Sequence, residues 1–181
     1  AHADAILAIQ EADLLILGPG SLFTSIVPNL LVRNIANAVA GASALKMYVC
    51  NVAGEPGETE GYSVVDHLNV IRHYAGESSV DLVIANSNFS QADEQDKFVL
   101  ITSKTRWEDK AIYASADVID DTNPSRHDSV KLALAIIQAY QKNRGKRRRL
   151  PRLRRNLTLT SRDSNGPRDE SGTGPTNGAG G

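Results

Sequence analysis

The chain has little sulfur and few aromatic residues. Its 181 residues include one cysteine, one methionine and one tryptophan. The single cysteine, Cys50, excludes an internal disulfide and a thiolate zinc cluster, and it is compatible with a reducing cytoplasm. The longest apolar runs, near residues 14–17 and 132–137, are far shorter than the roughly 20 residues that a membrane-spanning helix needs. Because no signal-peptide pattern is found either, we expect a cytoplasmic protein without a membrane span.

Charge divides the chain into an acidic body and a basic tail. Residues 1–140 carry nine Lys and Arg against 18 Asp and Glu, whereas residues 141–181 carry 11 basic and three acidic side chains. This asymmetry predicts a globular part over 1–142 and a basic tail over 143–181 that becomes rich in Gly, Ser and Pro. We expect the tail to be disordered, because it has too little apolar surface to offset its ordering entropy. The tail lacks interleaved aromatics for base stacking, so we consider nucleic-acid binding an unlikely role.

Within the body, strand-like and helix-like patterns alternate, which is typical of a parallel α/β sheet. Apolar runs predict strands at 13–17, 46–50 and 80–85, and weaker strand signals occur at 98–102 and 111–119. Helical spacing predicts an amphipathic helix over 1–11, one continuous helix from Pro28 to Ala42, and a helix after Ser63. Ser63 and Asp66 match a capping box, and Pro124, Ser125 and Asp128 open a last helix through Tyr140.

The loop after the first predicted strand is a candidate phosphate site. Ligands of parallel α/β sheets bind beyond the carboxyl ends of the strands. Glycines let a backbone approach a ligand closely, and a helix N-terminus presents free N–H groups to an anion. The alternative interpretation is a tight turn followed by a Ser- or Thr-capped helix, and the residues alone leave both open. The residues concerned are Gly18, Gly20, Ser21, Thr24 and Ser25.

The loop after the second strand, residues 51–63, carries three carboxylates: Glu55, Glu58 and Glu60. Carboxylates here suit hydroxyl or cation binding or general-base work. The alternative is an exposed acidic turn. His67 and His73 are six residues apart and do not share a helix face, so we predict no paired metal site.

Several of these segments, taken in order, resemble one family. They are Ala-Asp-Leu-Leu-Ile-Leu-Gly-Pro-Gly-Ser-Leu-Phe-Thr-Ser-Ile-Val-Pro-Asn-Leu-Leu-Val (12–32), Tyr-Val-Cys-Asn-Val (48–52), Gly-Glu-Thr-Glu-Gly-Tyr (57–62), Asp66-His67 and Arg126-His127-Asp128. Together they look like the gluconeogenesis-factor branch of the 2-phospho-L-lactate transferase-like (CofD) family, over roughly residues 1–140. The family opens with a Gly-Gly-Gly-Thr-Gly loop and an acidic segment that this sequence lacks. The sequence also has no initiator Met, so we expect the C-terminal part of a longer domain.

The resemblance implies a Rossmann-like three-layer α/β sandwich with a mainly parallel sheet, present here as a partial domain. It implies a cytoplasmic regulator that binds a UDP-sugar such as UDP-N-acetylglucosamine and acts in carbon metabolism and cell-shape maintenance. No catalytic residue, metal or cofactor is then required, and assembly into a homo-oligomer is compatible with it. The ligand-binding residues carried over are Gly18, Gly20, Ser21, Thr24, Ser25, Asn29, Asn51, Glu58, Thr59 and Arg126.

The sister branch of the family supplies the alternative. Its members transfer a phospho-lactyl-type or phosphoenolpyruvyl-type group to a deazaflavin acceptor. In that case Glu55, Glu58 and Asp66 would serve as Mg²⁺ ligands or bases.

Overall fold

A computed structural model describes residues 1–90 and 112–146, all of them within the compact unit Ala1–Leu150. The helices are α1 (Ala3–Glu11), α2 (Val27–Leu30), α3 (Arg33–Gly41), α4 (Val64–Ala75) and α5 (Ser129–Asn143). The strands are β1 (Leu14–Leu17), β2 (Leu45–Val49), β3 (Leu82–Asn86), β4 (Ile112–Ala116), β5 (Ile119–Asp120) and β6 (Asn123–His127). A π-helical turn, Leu22–Ile26, leads into α2, and 3-10 turns lie at Glu77–Ser79 and Arg144–Lys146. Within these ranges, every helix is too short or too polar to cross a membrane.

Four strands form a parallel sheet in the order β1-β2-β3-β4. Each strand run is short and apolar, as expected of strands that are covered on both faces. Strands β5 and β6 form a separate antiparallel ribbon. The α/β fold with a mainly parallel, Rossmann-like sheet is therefore confirmed.

Alternating side chains of the sheet enter two different cores. Tyr48 and Val83 pack on one face with residues of α2, α3 and α4. Met47 and Leu82 point to the other face, where they meet β5 and α5. All five residues of β2 and all five of β3 are buried, because both strands lie between the two layers. The sheet is thus the middle layer of a three-layer sandwich.

The capping box is confirmed at the start of α4. The Ser63 hydroxyl accepts a hydrogen bond from the Asp66 backbone N–H at 3.2 Å, and the Asp66 carboxylate accepts one from the Ser63 N–H at 2.8 Å. Both contacts satisfy N–H groups that a helix leaves unpaired at its start. The carboxylate also accepts the Ser63 hydroxyl proton at 2.6 Å, and these bonds lower the pKa of Asp66.

Two helix predictions were wrong in their limits. The continuous helix from Pro28 to Ala42 is broken, because Val32 has an extended backbone that separates α2 from α3 and leaves Leu31 63% exposed. The last helix begins at Ser129 rather than near Pro124. The Asp128 carboxylate caps it by accepting the N–H groups of Val130 and Lys131, at 2.9 and 2.7 Å.

The later strand signals had mixed outcomes. The segment 111–119 was predicted as one strand, and it contains β4 and the start of β5. Pro124 lies in β6, in a two-stranded ribbon whose edges tolerate a residue without an N–H. The strand signal at 98–102 and the basic residues from 147 onward lie outside the described residues. Helix α5 continues to Asn143, and the 3-10 turn after it reaches Lys146.

Candidate functional site

A cavity of about 740 Å³ lies beyond the carboxyl ends of β1 and β2. This is the position at which parallel α/β sheets bind ligands. Three stretches of chain supply its wall: the loop after β1, the loop after β2, and the end of β6. The lining residues are Pro19, Gly20, Asn51, Val52, Ala53, Gly54, Glu55, Pro56, Ser125, Arg126 and His127.

The first wall is a glycine turn that lies tightly against β2. Gly18 has φ +85°, and a Cβ built on it would lie 3.0 Å from the Val49 carbonyl oxygen. A side chain is therefore excluded here both by the backbone conformation and by space. A Cβ on Gly20 would meet the Ser25 Cβ at 3.3 Å. The small turn lets the backbone of residues 19 and 20 face the cavity.

The helical segment after this turn is not capped by a hydroxyl side chain. The N–H groups of Ser25 and Ile26 both reach the Ser21 carbonyl at 3.0 Å, which gives the segment its π-helical turn. Ser21 makes no side-chain capping bond, so the Ser-capped alternative does not describe this turn. Thr24 and Ser25 are exposed, and the Asn29 amide donates to the Ser25 carbonyl at 2.7 Å.

The second wall is a closed acidic turn. The N–H groups of Glu58 and Thr59 donate to the Glu55 carbonyl at 3.0 and 2.9 Å, and the Glu55 N–H donates to the Thr59 hydroxyl at 2.9 Å. Thr59 is fully buried. The Asn51 amide donates to the Glu55 carboxylate at 3.3 Å. The turn is therefore internally bonded, unlike a simple exposed acidic loop.

Two side-chain contacts join the first wall to the second. The Ser21 hydroxyl donates to the Glu58 carboxylate at 2.6 Å. The rings of Phe23 and Tyr62 meet edge to face, with centroids 6.2 Å apart. Both contacts connect segments that are nearly 40 residues apart in the sequence, so the two loops are fixed to each other as well as to the sheet.

The third wall is the β5–β6 ribbon, which Lys131 of α5 anchors. The Lys131 ammonium contacts the carboxylates of Asp117 and Asp121 at 3.2 and 3.1 Å, and donates to the Ile119 carbonyl at 3.1 Å. Arg126 is exposed at the cavity, and no carboxylate pairs with it within residues 1–90 and 112–146. A guanidinium in this situation suits a phosphate group, which it can bind through two parallel hydrogen bonds.

His127 connects this ribbon to the sheet. Its Nε2 lies 3.2 Å from the Cys50 carbonyl oxygen. Because a carbonyl can only accept, Nε2 carries the proton and Nδ1 is the acceptor of the neutral ring. Burial lowers the pKa of His127, opposed in part by the bond to Cys50, so the neutral form is favoured. Cys50 itself is buried, which raises the pKa of its thiol to about 12.

The structure gathers only part of the residues named from sequence at the cavity. Gly20, Asn51 and Arg126 line it directly. Gly18, Ser21, Glu58 and Thr59 support its walls, whereas Thr24, Ser25 and Asn29 are exposed outside the lining. Sequence reasoning left His127 out of the candidate ligand contacts. Its place beside Arg126 was a signal, but the mistaken helix start concealed its position on a strand.

Within the described residues, no group of three His, Cys, Asp or Glu side chains is arranged to hold a metal ion. Of the three acids considered for that role, Glu58 is bonded to Ser21 and Asp66 to Ser63. His67 is fully buried in α4, and its Nδ1 donates to the Ser63 carbonyl at 2.9 Å.

The four-stranded parallel sheet with helices on both faces is a Rossmann-like fold, and a cavity lies at the carboxyl edge of that sheet. Residues 1–121 match the profile of the family described as 2-phospho-L-lactate transferase CofD. The chain belongs to that family.

Several similar proteins are named gluconeogenesis factors. The chain is 48% identical over 84 residues to the gluconeogenesis factor of Bacillus subtilis, covering 46% of this chain and 26% of the relative. It is 32% identical over 143 residues to the gluconeogenesis factor of Halalkalibacterium halodurans, covering 75% of this chain and 44% of the relative. A crystal structure of a UPF0052-family protein from Bacillus halodurans matches with a TM-score of 0.67 at 30% identity, covering 75% of this chain and 46% of that one. The chain thus spans less than half the length of these relatives.

Proposed function

We propose that this domain belongs to a cytoplasmic regulator that binds a nucleoside diphosphate sugar of the UDP-N-acetylglucosamine type and acts in carbon metabolism and cell-shape maintenance. The observation that carries the proposal is the cavity in which Arg126 and His127 face the glycine turn at residues 19–20. Its volume of about 740 Å³ falls within the range of about 300–1,000 Å³ that is usual for small-ligand sites.

The polar groups of the cavity suit the parts of such a ligand. Arg126 offers charge and paired N–H donors to a diphosphate. His127 in its neutral form offers an acceptor to a hydroxyl or imide donor, and Asn51 adds an amide. Similarity to proteins named gluconeogenesis factors supports the regulatory part of the proposal.

Ligand-induced thermal stabilisation of the full-length protein tests the proposal. UDP-N-acetylglucosamine at 100 times its dissociation constant stabilises a single-site protein by about 2.7 kcal/mol. For a domain of about 150–250 residues this corresponds to a rise in melting temperature of about 5 to 10 °C, and the longer full-length protein should rise by less. Arg126→Ala should lose most of that rise. The matched control is Arg33→Ala, which removes an exposed arginine at the start of α3, away from the cavity lining.

Other outcomes discriminate between the hypotheses. A full response in Arg126→Ala would remove this residue from the site. The absence of a response in wild-type protein to UDP-N-acetylglucosamine would refute the proposed ligand. The transferase alternative predicts instead a response that requires a deazaflavin together with Mg²⁺.

A further inference from the structure

We infer that Glu58 is a positioning residue. By accepting a hydrogen bond from the Ser21 hydroxyl, it holds the glycine turn and the acidic turn at the separation that shapes the cavity. This assignment deepens the proposed function and rests on it for the identity of the ligand. It differs from the expectation that Glu58 and Ser21 contact the ligand themselves.

The hydrogen bond from Ser21 to Glu58 joins two walls of the cavity. Within the described segments, no other hydrogen bond between side chains connects these two walls. Ser21 follows Gly20 of the lining, and Glu58 follows Pro56 of the lining by two residues. The oxygen-to-oxygen distance of 2.6 Å is that of a hydrogen bond from a hydroxyl to a charged acceptor. Neither residue lines the cavity, so the bond lies behind its surface.

Glu58 is itself held in place by hydrogen bonds within the acidic turn. Its N–H donates to the Glu55 carbonyl at 3.0 Å, and the next residue, Thr59, is fully buried and bonded to the Glu55 N–H. A Cβ on Gly54 would lie 3.1 Å from the Thr59 carbonyl oxygen, so the turn packs tightly against the backbone of Gly54, which lines the cavity. A carboxylate on such a turn is a fixed anchor for Ser21.

The position of Ser21 also determines the position of the helical segment that follows it. Its carbonyl accepts the N–H groups of both Ser25 and Ile26, and Ile26 is buried in the core. Moving Ser21 would therefore shift the whole π-helical turn as well as Gly20 at the cavity. The Phe23–Tyr62 ring contact keeps the loops near each other, but a ring edge fixes direction less strictly than a short hydrogen bond.

The test combines a ligand-independent measurement with a binding measurement on the full-length protein. The variants are Glu58→Ala, Glu58→Gln, Ser21→Ala and the Ser21→Ala/Glu58→Ala double variant. Amide hydrogen exchange without ligand should speed up about tenfold over residues 18–26 in Glu58→Ala and Ser21→Ala, with the double variant no faster than either. Glu58→Gln retains an acceptor for the Ser21 hydroxyl, so its exchange should stay within about twofold of wild type.

Affinity for UDP-N-acetylglucosamine, measured by calorimetry, should follow the same order. We expect a loss of about tenfold in Glu58→Ala and little change in Glu58→Gln. Glu60→Ala is the matched control, because it removes an exposed carboxylate from the same acidic turn. This variant should leave exchange and affinity unchanged.

Three results would overturn the assignment. Unchanged exchange in Glu58→Ala would show that the bond does not order the loops. Glu58→Gln with normal exchange and lost affinity would make Glu58 a direct ligand contact. Additive effects in the double variant would show that the two side chains act independently. If wild-type protein does not bind the probe, the proposed function fails, while the exchange comparison still decides this inference.

Discussion

Substitution of Gly18 by alanine should destabilise the fold far more than the same substitution at Gly57. Both glycines have a positive φ, +85° and +78°. They differ in their surroundings: a Cβ on Gly18 would lie 3.0 Å from the Val49 carbonyl oxygen and 3.3 Å from the Ile26 Cδ1, whereas a Cβ on Gly57 meets nothing within 4 Å. Comparing the two variants therefore separates the free-energy cost of the backbone conformation from the free-energy cost of steric overlap.

The conformational cost applies to both sites. An L-residue in the left-handed region loses about 1–2 kcal/mol, and replacing glycine returns about 0.4–1 kcal/mol by restricting the unfolded chain. We therefore expect Gly57→Ala to cost about 1 kcal/mol or less. Gly18→Ala carries an added overpacking cost of about 1–3 kcal/mol. Ile26 can adjust its side chain, but the Val49 oxygen belongs to the backbone of β2, which pairs with β3 at this residue.

Urea denaturation of the two variants and wild type measures the difference. We expect a total loss of about 2–4 kcal/mol for Gly18→Ala, seen as a lower midpoint at an unchanged slope. Thermal melting should show a decrease of about 4 to 16 °C in the same variant. Equal losses at the two sites would refute the steric argument, because both would then report backbone conformation alone.

Two further changes probe helix α4. Ser63→Ala removes the capping hydroxyl and should lower the free energy of unfolding by about 1 kcal/mol, or the melting temperature by about 2–4 °C. The control Ser78→Ala, at an exposed position, should have no effect. Equal melting temperatures for the two variants would argue against the cap. Burial lowers the pKa of His67, so its protonation favours the unfolded chain, and the free energy of unfolding should fall as the pH drops below the usual histidine value of about 6.5. His67→Gln should make that fall shallower between pH 7 and 5 in denaturant titrations, although His127, whose pKa is also lowered, keeps part of it. An unchanged pH profile in His67→Gln would contradict this assignment.

The sheet was predictable because its signal is local. Each core strand is an apolar run between turn residues, as in Leu14–Leu17, and runs of this kind alternating with helical spacing leave few topologies for a parallel sheet. The capping box at Ser63 was predictable for the same reason, since both partners lie within four residues. Helix limits were less predictable. The apolar spacing continued across the break at Val32, whose extended backbone separates α2 from α3.

The candidate site was only partly predictable, because its walls come from three separate segments. The loops at residues 18–20 and 51–56 could be placed together, since each follows a strand of one parallel sheet. The contribution of residues 125–127 could not be predicted in this way, because β6 is not part of that sheet. Lys131 of α5 binds Asp121 in the turn of the ribbon and Asp117 just before the ribbon, and no sequence periodicity predicts these contacts.

This division of the site has a consequence for its chemistry. The two sheet loops supply backbone groups, the Asn51 amide and the Glu55 carboxylate, and they carry no cationic side chain into the cavity lining. The guanidinium of Arg126 and the ring of His127 both come from the ribbon. The ribbon reaches the sheet loops through the bond from the His127 Nε2 to the Cys50 carbonyl. Recognition of an anionic ligand would therefore depend on an element outside the sheet, so Arg126 is a more decisive test of the site than any residue of the glycine turn.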